Sequence, residues 1–235
     1  MFRGLAIEFS KVLTNKTLSL FVMMPLVIAV VIPYALTTEK GMLGMLAFFN
    51  VFMISIMETL ISVVEEKEHR TLEAMMVTPL GLKTVLVSKV LISVLLVFVN
   101  ALVIMVVIPW MFSIAVETLS VVIIVFLSAA LSFLFAGLAL IMAALVSNMK
   151  EAEQAGTAVA TLLLFLGFIP LDRMPYWLQE SVKVIPLTNG NYIFTVIVLD
   201  SLQGLEQVLL HVVGSLVMCA VFLYLGYKIF VLKYT

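Results

Sequence analysis

The sequence is short of charge, cysteine and histidine, and each shortage removes a class of function. Only 11% of its 235 residues are Asp, Glu, Lys or Arg, against about 25% in an average soluble domain. The formal net charge is −1, so there is no overall basic field to attract nucleic acid. A single cysteine, Cys219, cannot close an internal disulfide. The two histidines, His69 and His211, lie far apart in sequence, which argues against a His/Cys metal cluster. No G-x-x-x-x-G-K-[ST] run occurs, so this sequence carries no phosphate loop of its own. The apolar runs contain no Ser–His or Cys–His constellation suited to catalysis within a membrane.

Apolar residues are what the chain has in excess. They make up 64% of it, and the mean hydropathy is +1.25. A soluble sphere of this size could not hide so much apolar surface, so the class is an integral membrane protein, all-α if its long apolar runs are spanning helices. Spanning a bilayer takes about 20 mostly apolar residues. Six runs qualify: 18–36, 41–64, 90–116, 119–147, 155–171 and 207–232. The fifth is the shortest. The first begins near Leu18 with no small-x-small cleavage site after it, so it reads as a retained span rather than a signal peptide.

Orientation follows from the basic residues in the short connections. With the N-terminus in the cytoplasm, ten of the 13 lysines and arginines fall on the cytoplasmic side and Lys40, Arg173 and Lys183 outside. Both termini are then cytoplasmic. Trp110 and Trp177 fall at the outer ends of spans, where amphipathic rings favour the headgroup layer.

Three segments outside the spans carry further information. In residues 1–17, Phe2, Leu5, Ala6, Phe9, Val12 and Leu13 recur at helical spacing between polar residues, which predicts an interfacial amphipathic helix. An anchor for the first span and a mechanical elbow both fit that pattern. Residues 65–89 are the most charged stretch. Within it Leu72, Met75 and Met76 form a small apolar stripe, and Thr78-Pro79 ends the helix they belong to. A short amphipathic helix held at the membrane surface suits a partner's groove, and a solvated turn that fixes topology suits the same residues. Residues 172–206 hold Pro175 and Trp177, then Pro186 and Asn189, then a run from Asn191 to Leu199 too short to cross. Two short helices broken by proline and dipping into the outer leaflet are expected there, with an ordinary surface loop as the alternative.

Inside the spans, Glu58 is the ionisable residue furthest from an end, with Ser62 and Glu65 on the same helical face. A polar lining of an inner vestibule and a carboxylate paired with a basic neighbour are both consistent with it. Asn50, among Phe48, Phe49 and Phe52, either lines a path or hydrogen-bonds a neighbouring helix. Thr157, Thr161, Phe165 and Phe168 recur at helical spacing along the fifth span, where a path-facing role and simple packing both fit. Gly137 and Gly156 are candidates for close helix approach.

The segment from Glu68 to Leu80, closed by Lys89, resembles the cytoplasmic segment of type-2 ATP-binding-cassette permeases. In that family an acidic-basic stretch leads into Thr-Leu-Glu, two apolar residues and Thr-Pro. Here these are Arg70, Thr71, Leu72, Glu73, then Met75, Met76, Thr78 and Pro79. The outer Met174-Pro175-Tyr176-Trp177-Leu178, followed by Pro186-Leu187-Thr188, resembles the pattern before that family's last span. The likeness covers essentially the whole chain. His69 departs from it, standing where the family often has a small residue such as glycine.

The resemblance implies a single permease domain with six spans, a coupling helix between spans two and three, and re-entrant helices between spans five and six. It implies a non-enzymatic subunit, most often of an exporter in a prokaryotic plasma membrane. Two such chains, identical or different, would pair in the lipid bilayer above two copies of a separate ATPase, which binds the ATP and Mg. An ion-coupled secondary transporter is the competing reading, although no internal repeat between the two halves supports it. A structural or assembly subunit is another.

Overall fold

The computed structural model describes residues 40–71, 81–168 and 186–234, together with residues 19, 23, 27 and 175. The first span and the N-terminal amphipathic segment lie outside the described residues, apart from those isolated positions. So do Leu72, Glu73, Met75, Met76, Thr78 and Pro79, and Trp177.

The described residues form α1 (Lys40–Glu68), α2 (Gly81–Leu102), a π-turn (Val103–Val107), α3 (Ile108–Phe112), α4 (Thr118–Leu145), α5 (Met149–Phe168) and α6 (Pro186–Tyr234). No strand occurs among them. Four stretches are long and apolar enough to cross a bilayer: Lys40–Glu68, Leu82–Phe112, Thr118–Leu145 and Val208–Lys233. They correspond to the predicted second, third, fourth and sixth spans. The predicted fifth span falls on α5, whose first turns carry Lys150, Glu151 and Glu153.

The third span starts well before the predicted Val90, because α2 takes in Lys83 and Lys89, which the charge pattern assigns to the loop. Its helix runs on through Pro109. A proline has no N–H to give and its ring crowds the carbonyl four residues back. The π-turn relieves that crowding: the Ile108 N–H reaches back five residues to the Val103 carbonyl. The helix then stops at Ser113, which is left-handed, φ 56°. Trp110 at this end is 81% exposed, as a ring facing headgroups would be.

α1 is the central helix. Its most apolar 18-residue window is wholly buried, against 22% of that in the last span. It is packed by α2, α4, α5 and α6. α4 and α6 meet where both lack side chains. A Cβ on Gly137 would come within 2.6 Å of the Leu223 backbone, and one on Gly226 within 2.3 Å of the Gly137 carbonyl. Gly156 does the same for α5 against Met57. The small residues Ala152, Gly156 and Ala160 thus form the buried face of α5. Close packing of small residues substitutes in lipid for a hydrophobic driving force.

The predicted pair of short helices after Pro175 takes a different form from Pro186 onward, which begins one helix continuous with the last span. That helix is not straight. Thr195 lies at Gly41, Phe194 at Gly44 and Gly190 at Phe48, so this part runs antiparallel to α1. Ile197 accepts a hydrogen bond from Ser120, whereas Cys219 reaches Ala130. A straight helix would separate Ile197 from Cys219 by about 33 Å, yet Ser120 and Ala130 are only about 15 Å apart along α4. The path therefore turns between them, where Asp200, Gln203 and Glu206 are exposed. It rises along α1, turns over and descends along α4, with Gly137 against Leu223 and Ala144 against Lys233. The first part of α6 therefore folds back beside α1 and joins the last span without a break.

Candidate functional site

The bundle has two ends, here named after the connections at Ser113 and Ser147. Polar chemistry gathers at the Ser147 end, where α1 finishes and its last residues each reach a different helix.

Glu66 pairs with Lys89 of α2 at 2.7 Å, with their side chains 6% and 2% exposed. Two charges this deep must be matched, because an unpaired charge in low dielectric is very costly. The next residue, Lys67, donates from Nζ to the Ala143 carbonyl at 3.2 Å and to the Val146 carbonyl. Lys233 of α6 donates to Ala144. Two ammonium groups thus close the C-terminus of α4, whose last carbonyls have no partner within the helix and carry its negative dipole end. Glu68 accepts from the Met149 N–H at 2.9 Å, at the positive start of α5.

α5 is capped by its own residues as well. Asn148 Oδ1 accepts from the Glu151 N–H at 3.0 Å, and Glu151 reaches back to accept from Asn148 Nδ2 at 3.1 Å and from the Ser147 N–H at 2.6 Å. This reciprocal exchange is a variant of the capping box, with Asn148 as the cap and the backbone return bond coming from Ser147 instead of the cap itself. Glu66, Lys67 and Glu68 therefore tie the end of α1 to α2, α4 and α5 in turn.

The chain leaves this clasp abruptly. His69 N–H bonds to the Glu65 carbonyl and Arg70 N–H to the Lys67 carbonyl. Arg70 is left-handed, φ 56°, and Thr71 Oγ1 returns to the Glu66 carbonyl at 2.9 Å. Glycine usually fills a left-handed helix end, because it has no Cβ to clash. Position 69 departs from the resembled pattern, and it is the neighbouring Arg70 that adopts the left-handed conformation.

The predicted path residues divide by position. Asn50 is fully buried, and its Nδ2 donates to the Val97 carbonyl of α2 at 3.4 Å. This contact bridges α1 to α2. Glu58 and Ser62 are buried at 2% and 4% exposure, and Ser62 Oγ bonds its own helix at the Thr59 carbonyl. Thr157 and Thr161 are exposed on the outward face of α5. Phe165 and Phe168 continue that helix. Pro175 is exposed, and Pro186 and Asn189 open α6.

Two features have no precedent in the sequence reading. One is the Glu66–Lys89 pair, whose signal is an acid and a base on facing flanks of successive spans. The other is Gly190, over which Phe48 lies. A Cβ there would fall 1.9 Å from the Phe48 ring, which also packs on Phe135 and Phe194 with centroids 6.0 and 5.8 Å away.

The family model described as "ABC-2 type transporter" matches residues 5–199. A search of curated proteins finds no match. The matched stretch takes in α1 to α5, the clasp at the end of α1 and the first part of α6. This chain is therefore a multi-pass membrane protein belonging to the ABC-2 type transporter family.

Proposed function

We propose that the chain is the permease subunit of an ATP-driven exporter. It pairs with a second six-span chain and is driven by two copies of a separate ATPase that holds ATP and Mg. The Ser147 end faces the cytoplasm of a prokaryotic cell, which the distribution of lysine and arginine supports. Residues 70–79 dock on the ATPase, with Leu72, Met75 and Met76 as the apolar contact and Arg70, Thr71, Glu73, Thr78 and Pro79 framing it.

The observation that carries this reading, beside the family match, is the clasp. The docking segment leaves α1 immediately after Glu66, Lys67 and Glu68, which hold α2, α4 and α5. A push on that segment is delivered to four helices at once. No bond of the substrate is made or broken, so the chain is mechanical rather than catalytic. The exposed threonine face of α5 is the surface we assign to the transport path, with Phe165 and Phe168 continuing it toward the outer side. Asn50, Glu58 and Ser62 support that path from within the bundle. The re-entrant segment, from Pro175 and Trp177 to Pro186 and Asn189, closes it outside.

Affinity purification of the tagged chain from native membranes, followed by mass spectrometry, tests the partner. A stoichiometric ATPase with a phosphate loop is expected. Leu72→Asp and Met76→Asp should each lose that ATPase while the chain stays folded. Recovery of an intact chain without any ATPase, under conditions that preserve other membrane complexes, would overturn the reading.

A further inference from the structure

The face formed by α2, α4 and α6 holds a groove of about 400 Å³ toward the Ser147 end. Leu86 and Val90 of α2, Phe133 and Leu140 of α4, and Leu223 and Tyr227 of α6 line it. Lys83, in the first turn of α2, stands at one end and is exposed. Along α2 the lining runs from Lys83 to Leu91 and along α6 from Tyr227 to Ala220, about 11–12 Å on each helix. One leaflet's hydrocarbon is about 15 Å deep. The groove thus begins near the headgroup level and covers most of a leaflet.

We propose that this groove binds one acyl chain of an anionic phospholipid, with Lys83 and Lys228 taking the phosphate. In the topology proposed above the lipid comes from the cytoplasmic leaflet. Lys228 belongs to the same site because its ammonium lies 5.9 Å from the ring centre of Tyr224, a lining residue. Among the described residues, no acidic one lines the groove. Lysine stems lie along apolar walls while their charged ends reach the headgroups, where anionic lipid supplies the opposite sign.

Charge also decides against two other occupants. A two-fold pairing of this face with a second copy would bring lysine toward lysine. The first span, residues 18–36, has no acidic residue to answer Lys83. The exposure of Val217, Val221 and Tyr224 on α6 is then lipid contact rather than a missing protein interface.

The test is native mass spectrometry of the full chain, with any co-purifying subunits, released from bilayers of equal dioleoylphosphatidylglycerol and dioleoylphosphatidylcholine. The wild type is expected to retain phosphatidylglycerol in preference. Lys83→Gln should cut that preference about five-fold, the effect of one lysine near a charged membrane surface. Ala220→Trp, an exposed groove position, should displace the bound lipid, and Val217→Trp, one turn away and outside the lining, should not. Equal retention of the two lipids by the wild type overturns the proposal, as does retention unchanged in both Lys83→Gln and Ala220→Trp. Efficient crosslinking of Ala220→Cys, in a Cys219→Ser background, to a second copy or to residues 18–36 would also overturn it. The result does not depend on whether an ATPase is bound, so it stands or falls separately from the transporter reading.

Discussion

The two ends of the bundle are held by different physics. At the Ser113 end the first part of α6 is held mainly by shape. Gly44 and Gly190 bring it against α1, and Phe48 gathers Phe135 and Phe194. Polar contacts there, such as Ser120 to Ile197 and Thr195 to Gly41, join helices through neutral groups. At the Ser147 end the contacts are charged: Glu66 with Lys89, Lys67 and Lys233 on the end of α4, and Glu68 on the start of α5. Steric contacts are short-ranged and yield to a change of volume. Charged contacts in low dielectric reach further and yield to a change of sign. The Ser147 end is thus coupled by charge, and the Ser113 end by close packing.

The largest effect should come from splitting the buried pair. Lys89→Met removes the buried cation beside Glu66 and is expected to cost about 3–5 kcal/mol in detergent unfolding, whereas Lys89→Met with Glu66→Leu should recover most of it. Failure of that rescue would mean that the pair serves more than mutual neutralisation. Next is Gly190→Ala, which overpacks the Ser113 end and is expected to cost about 1–3 kcal/mol. Phe48→Leu should relieve it in the double variant, and no change of charge should.

Lys67→Gln and Lys233→Gln are each expected to lose about 0.3–2 kcal/mol, with less than additive loss together because both serve one helix end. Thermal unfolding of the four members of that cycle checks it, and raised salt should shrink the losses only where water reaches the site. The smallest effect runs the other way. Arg70→Gly removes a left-handed arginine and should stabilise the helix end by about 1 kcal/mol, read as a raised unfolding temperature.

Hydropathy and loop charge made α1, α4 and the last span legible, because each is an apolar run with polar ends. The start of α2 was not, since Lys83 and Lys89 look like loop residues. Lys89 is buried against Glu66 of α1, and no local window contains both. The roles of Asn50 became distinguishable once Val97 was seen beside it. Gly137 and Gly156 were legible as small residues in long spans, whereas Gly190 was hidden in what reads as a polar turn. Pro186 read as a breaker because proline ends helices from within; at a first helical position its missing N–H costs nothing.

The π-turn before Pro109 gives the third span a spare residue. Taking it up into regular helix would swing everything beyond it by about 100° around the axis. Pro109 blocks that change, because its ring would meet the Met105 carbonyl in an ordinary turn. The proline therefore acts as a pawl that fixes which side of the bundle Trp110 and Met111 present to the headgroups. Without it, the same sequence of side chains could dial to a different compass bearing at the membrane surface.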